Sequence, residues 1–186
     1  KVADEDVQWL QRRLLAWYDR NRRTLPWRGT SDPYRVWVSE IMLCQTQVAR
    51  VAEYYDRFLQ AFPTVEDLAR ATLERVLAQW EGLGYYGRAR SMHEAAREVV
   101  GARGGRFPET VAELRALPGV GPYTAAAIAS IAFGEPVPAL DTHGIRIVAR
   151  LGAIAGDVRG RDGHSAVDAL ARRLLAPHRP GDFNQR

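Results

Sequence analysis

The apolar positions of this chain recur with a helical period almost from end to end. Val7, Leu10, Leu14, Leu15 and Tyr18 fall on one face of a first helix whose other face is charged. Pro26, Gly29 and Pro33 then break the period. Asp32 before Pro33 reads as an N-cap followed by a first helical position. One helix carries residues 36–44 and another runs to about Phe62. Pro63-Thr64 opens a short helix through Leu68, and Thr72 caps one through Trp80. A Gly-rich connection, 81–88, leads into a long helix over 89–101 that Gly104-Gly105 ends. Helices are further predicted over 108–116, 124–131, 142–151 and 163–175, with a weak one in the last residues. Pro136 and Pro138 keep 133–139 a loop, and no segment alternates with a period of two. The predicted fold class is all-α, built of many short helices rather than a simple four-helix bundle.

The stretch 117–128, LPGVGPYTAAAI, organises the rest. It looks like the hairpin and second helix of a helix-hairpin-helix, a module that grips DNA. Gly119 and Gly121 flank Val120, so the backbone can turn tightly and approach another molecule. Pro122 suits a first helical turn. The helix start offers free N–H groups to an anion, for which a DNA phosphate is the obvious choice. A plain tight turn before a helix has the same Gly-x-Gly pattern.

Composition narrows the choices. At 186 residues and 46% hydrophobic, the chain suits one core or two small subdomains sharing one. No apolar run is long enough to span a bilayer. The opening KVADEDVQWL carries no signal-peptide pattern and no initiator Met. That predicts a processed chain or an excised piece, placed in the cytosol. A net charge of +4 permits nucleic-acid binding without demanding it. Lys1 is the sole lysine among 26 basic residues, which disfavours Schiff-base chemistry. Cys44 is the single cysteine, so no disulfide and no four-cysteine metal site is expected within these residues. His93, His143, His164 and His178 have no metal-ligand spacing, and no metal site is expected. His93, on a charged helix, is expected to be exposed.

Two acids are candidates for chemistry. Glu40 stands in VWVSEIMLC, where burial would raise its pKa toward that of a general acid unless it lies on the helix's solvent edge. Asp141 reads first as a helix cap. Together they match a need of glycosidic hydrolysis: one carboxyl to protonate the leaving group and one to steady the cationic sugar. Tyr123, just inside the hairpin helix, is either a phosphate or base contact or a core residue. Tyr85 and Tyr86 offer rings for base stacking or cover the core. Gln45 and Gln47 suit insertion into a duplex or a polar face. Arg88 and Arg90 suit phosphate contact or a solvated face.

Read together, these motifs resemble the adenine-DNA glycosylase (MutY) family of the endonuclease III, helix-hairpin-helix superfamily. The segments are PWR (26–28), SEIML (39–43), QTQVA (45–49), GLGYYGRAR (82–90), LPGVGPYTAAAIASIAFG (117–134), LDTHGIRIVAR (140–150) and PGDFNQ (180–185). The resemblance implies two helical subdomains with the active site in the cleft between them. Residues 30–135 would form a six-helix barrel with the hairpin, and residues 1–29 with 136–186 the second subdomain. It implies a monofunctional glycosylase that flips adenine out of double-stranded DNA from an A·8-oxoguanine or A·G mispair, acts as a monomer, and belongs to a bacterial cytosol or nucleoid. By resemblance, Glu40 is the acid that protonates adenine and then serves in activating water. Asp141 stabilises the oxocarbenium sugar, and Tyr123 supports sugar and acid. Trp27, Arg28, Leu43 and Gln185 match the adenine pocket. Gln45 and Tyr85 match residues that probe the opposite base. Gly119, Val120 and Gly121, with Tyr123 and Thr124, match the phosphate-binding hairpin, which in this superfamily can hold a monovalent cation.

Three departures from the family pattern stand out. Cys44 replaces a usual glutamine, and His143 replaces an asparagine beside Asp141, where a charged imidazole would depress the acids' pKa values. For that reason His143 joins the catalytic candidates. The family also continues into four cysteines holding a [4Fe–4S] cluster, then a domain that recognises 8-oxoguanine, so a fragment or a short form is expected. The alternatives are a thymine glycosylase on T·G mismatches, which can share Tyr123, and a non-catalytic DNA-binding module. A glycosylase/lyase is disfavoured because Tyr123 stands where that branch places its lysine.

Overall fold

A computed structural model describes residues 2–158 and 160–185. Among them there is no strand, and eleven α-helices follow one another. These are α1 (Asp4–Asn21), α2 (Pro33–Leu43), α3 (Val48–Ala61), α4 (Val65–Arg70), α5 (Leu73–Trp80) and α6 (Gly87–Arg103). After them come α7 (Val111–Leu114), α8 (Pro122–Ala132), α9 (Thr142–Leu151), α10 (Arg161–Leu174) and α11 (Pro180–Asn184). No helix among the described residues is long and apolar enough to cross a membrane.

Local chemistry sets the helix starts. Asp32 caps α2 by accepting from the N–H groups of Tyr34 and Arg35, with Pro33 in the first turn. Thr64 and Asp67 form a reciprocal capping box on α4, and Thr72 caps α5. Gly104, in the left-handed conformation, closes α6. The long helix outruns its expected bounds of 89–101 by two residues at each end, and α7 is shorter than the 108–116 expected for it.

Buried apolar side chains gather in two clusters. The larger draws on residues from Trp27 to Ala139 and centres on Trp37, Phe58, Phe62, Trp80 and Ile128. The smaller joins Val7 of α1 to Val148, Ala149, Val167, Ala171 and Leu174. Thus α1 packs on α10 and α11, at the other end of the chain. A fork from Arg179 to Asp19 and Asp182 ties α1 to α11.

In turn α11 lies on α8, and α8 lies on α2. Gly181 makes the first contact possible. A Cβ there would come within 2.9 Å of Ile131 Cα and Ser130 O. Because α8 is rich in alanine, a large part of it is buried, as its sequence predicts.

His93 corrects an expectation. It is buried, and its Nε2 lies 2.9 Å from the Ala71 carbonyl at the end of α4. The charges on α6 mark its other face, while Met92, His93, Ala95 and Ala96 turn to the core.

Phe58 shows how tightly the larger core is set. It is fully buried, edge-on to Phe62 at 5.0 Å and to Trp80 at 6.0 Å. Phe58→Ala is expected to cost about 3–5 kcal/mol in unfolding free energy, read from urea denaturation. A loss below about 1 kcal/mol would contradict this packing.

Candidate active site

Nearly the whole of α2 is buried, from Tyr34 to Met42, and Glu40 is buried with it at 9% exposure. The solvent-edge reading of Glu40 is therefore wrong. Desolvation pushes its pKa up to about 7. The Arg28 guanidinium and a hydrogen bond from the Tyr123 hydroxyl pull the other way, with smaller effect. A carboxyl so poised is available both as acid and as base near neutral pH.

Glu40 opens onto a cavity of about 170 Å³ where α2, α8, α11 and the loop after α1 meet. Trp27, Arg28, Leu43, Tyr123 and Gln185, all picked from sequence, share its wall. A cavity of about 150 Å³ admits a benzene-sized ring, so this one suits a flat heterocycle. Trp27 is locked edge-on against Tyr55 at 5.5 Å. Arg28 donates to the Tyr18 hydroxyl at 2.8 Å, and to Gln185 O at 2.9 Å and Oε1 at 2.6 Å. Its Nε–H is buried with no acceptor in the protein. A buried, unmatched donor costs about 1–3 kcal/mol, so its presence in this wall suits a ligand acceptor.

Asn184 also lines the cavity, and sequence reasoning missed it. Its amide donates to Val137 O and Ser130 Oγ at 2.9 Å, and its Oδ1 accepts from Ala139 N at 3.1 Å. It thereby ties the segment before Asp141 to α8. No local pattern marks such a role, because all three partners are distant in sequence.

Asp141 is not in the cavity wall. It caps α9, accepting from Gly144 N at 2.7 Å, and its side chain is half exposed. His143 Nδ1 stands 3.7 Å from Asp141 Oδ2 and is largely exposed. The cap expected of Asp141 is therefore present, two residues beyond the strap that Asn184 holds.

A second opening, of about 440 Å³, gathers Gln45, Tyr85 and Gly119 with Cys44, Arg88 and Ser91. Gln45 and Tyr85 both have positive φ, 59° and 48°, and both are exposed. Such conformations are uncommon for residues with a side chain and cluster at functional sites. The Tyr85 ring does not cover the core.

Arg88, expected on phosphate or in solvent, does neither. Its guanidinium donates to the carbonyls of Ile41, Met42 and Cys44 and to Thr46 Oγ1. It donates equally to the carbonyls of Leu83 and Gly84. Burial pulls its pKa below the ordinary guanidinium range. Arg90 is exposed, as is Gln47.

In the hairpin, Gly119 has φ +74°, and a Cβ there would meet Ser91 Cβ at 2.6 Å. Gly121 has ordinary φ and open space about it, so only the first glycine is required by the fold. The side chain of Val120 is buried in the core. Thr124 is buried too, so its side chain is not part of the outward face expected for it. No side chain caps α8, and residues 121–123 are exposed. Among the described residues no group of three His, Cys, Asp or Glu side chains could hold a metal. The single cysteine does not supply the four thiolates of an iron–sulfur cluster.

Comparison with known proteins places this geometry. The adenine DNA glycosylase of Rattus norvegicus is 48% identical over 189 residues, covering 97% of this chain and 37% of that protein. The one from Homo sapiens is 48% identical over 181 residues, covering 92% and 33%. The chain thus spans about a third of the length of these relatives. A thermostable thymine-DNA glycosylase superposes with a TM-score of 0.87 at 30% identity, covering all of this chain and 85% of the other. An endonuclease III trapped on DNA shares the fold, with a TM-score of 0.79 at 21% identity and the same coverage but for one percentage point of its own chain. The model of the HhH-GPD superfamily of base excision DNA repair proteins matches residues 38–177, and the chain belongs to that family.

Proposed function

We propose that this chain is the catalytic portion of an adenine DNA glycosylase, acting on adenine mispaired with 8-oxoguanine or guanine in duplex DNA. The observation that carries the reading is Glu40: a buried carboxyl with a pKa near 7, on the wall of a ring-sized cavity beside Arg28 and Tyr123. Relatives bearing the adenine DNA glycosylase name at 48% identity support the choice of base.

The everted adenine enters the cavity and its sugar stays at the mouth. Trp27 and Leu43 pack on the ring, and Arg28 and Gln185 supply polar contacts. Glu40 donates its proton to the ring. The C–N glycosidic bond then breaks, its electron pair leaving with the base. Asp141 steadies the sugar cation, and its exposure suits a contact made outside the cavity. Water adds to the sugar carbon and gives its proton to the Glu40 carboxylate, which restores the acid. The uncapped start of α8, with the hairpin, holds a backbone phosphate. Gln45 and Tyr85 probe the base left opposite. The lone lysine, Lys1, leaves no interior amine for a lyase step.

Glu40→Gln is expected to lower single-turnover adenine release by about 10²–10⁴-fold or more while duplex affinity stays nearly unchanged. Loss of binding in step with activity, or faster thymine release from T·G duplexes in the parent, would overturn the reading. The parent's rate should fall as pH rises above about 7, where Glu40 ionises. A rate rising steadily through that range would contradict an acid role.

Stability gives an independent check on the same group. The Glu40 carboxyl binds its proton more tightly folded than unfolded, so stability is lost as pH climbs from 4.5 to about 7. Glu40→Gln should therefore melt higher than the parent at pH 8 and show no such gain at pH 4. Equal gains at both would place the effect elsewhere.

A further inference from the structure

Gln45 and Tyr85 sit in separate loops, yet both hold left-handed backbones that residues with a side chain rarely adopt. Such strain persists only where the surroundings over-determine it. One side chain provides that constraint on both loops. The Arg88 guanidinium binds Cys44 O and Thr46 Oγ1, which bracket Gln45, and Gly84 O, which precedes Tyr85. Its carbon also lies 5.6 Å from the centre of the Tyr85 ring, and the backbone N–H of Arg88 donates to Tyr85 O at 3.0 Å.

The partners of this guanidinium are neutral oxygens, and its Nε–H has no acceptor. A half-buried cation held by carbonyls, a hydroxyl and the faces of Trp80 and Tyr85 is a costly way to fasten two loops. Only a planar five-donor fork spans acceptors on both; an ammonium has three donors and a point charge.

We propose that Arg88 is a positioning residue for recognition of the base opposite the target: without touching DNA, it fixes Gln45 and Tyr85 as the two lips of one cleft. This rests on the reading of that cleft as the opposite-base site. Removing the fork lets both loops relax toward ordinary backbone, so selectivity falls while the acid, seated elsewhere in the wall of the smaller cavity, keeps its proton affinity.

The test uses the intact protein with Arg88→Lys, Arg88→Met and Thr46→Val. Two ratios are read, each for A·8-oxoguanine against A·T duplexes: single-turnover adenine release, and equilibrium binding, which needs no catalysis. In Arg88→Met both ratios are expected to drop about tenfold or more, with Arg88→Lys and Thr46→Val between it and the parent. The pH at which the residual rate falls should stay at the parent's value. Ratios that hold while only the melting temperature drops would overturn the proposal, as would equal losses on both duplexes. If Arg88→Met does not fold, the other two variants decide by the same ratios. A parent that binds the mispair selectively but releases no adenine refutes the glycosylase reading, and the binding ratios still judge Arg88. A parent selective in neither measure refutes the role of Arg88.

Discussion

The burial of one carboxyl group constrains this molecule more than any other feature. Glu40 lies in a helix whose residues from Val36 to Met42 are buried, and water is the solvent an ionised carboxyl needs most. The fold answers with an incomplete compensation. Arg28 is near enough to lower the proton affinity of Glu40 but not to cancel the desolvation. Arg28 is itself occupied by Tyr18 and Gln185. A fully paired Arg28–Glu40 bridge would hold the carboxyl ionised, and a wall without Arg28 would keep it protonated well past neutrality. The arrangement lies between these and leaves an acid that can both lose and regain a proton near pH 7.

The restraint on Arg28 comes from both ends of the chain. Tyr18 belongs to α1, and Gln185 follows α11. Those two helices are tied by Arg179 through Asp19 and Asp182. Exposed ion pairs add little stability on their own. Their value here is geometric, since they set where the cation stands relative to an acid carried by a helix of the larger core. Asn184, on the same short helix, fixes the strap leading to Asp141. One five-residue helix thus orders the surroundings of both acids.

What the sequence discloses follows from the range of the forces involved. Caps and periodicity are local, so Asp32, Thr72 and the Asp141 cap are legible, and the all-helical class with them. Residue types in the hairpin and the GLGYY segment are equally legible, and the cavity does join Trp27, Arg28, Glu40, Leu43, Tyr123 and Gln185. Which way a polar residue faces is a tertiary matter. Nothing near Glu40 in sequence distinguishes burial from exposure, and the same holds for His93, whose partner Ala71 is 22 positions away. Arg88 has the composition of a phosphate contact, and only the approach of α2's last turn to the 83–84 loop makes it an internal strut. Asn184 fails for the same reason. Thr124 shows the opposite error: its place in the hairpin motif suggests an outward role, but the helical turn that begins at Pro122 carries its side chain inward.

The two openings share a helix, and that sharing has a mechanical consequence. From Glu40 to Leu43 is three residues, about 4.5 Å along the axis of α2. The acid's side chain enters one cavity, while the carbonyls that end the helix point to the guanidinium beneath the other cleft. Carbonyls at a helix C-terminus carry partial negative charge, so a cation there is favoured. A rigid helix transmits displacement along its axis far better than a loop does. The Gln45 loop is therefore anchored at the end of the same rod that seats Glu40, so the spacing of cleft and acid is fixed even where the loop itself can relax. On the reading proposed above, in which adenine in ordinary pairs is spared, mounting the Gln45 loop and the acid at one end of a short helix is a physically economical way to make chemistry depend on what stands across the duplex.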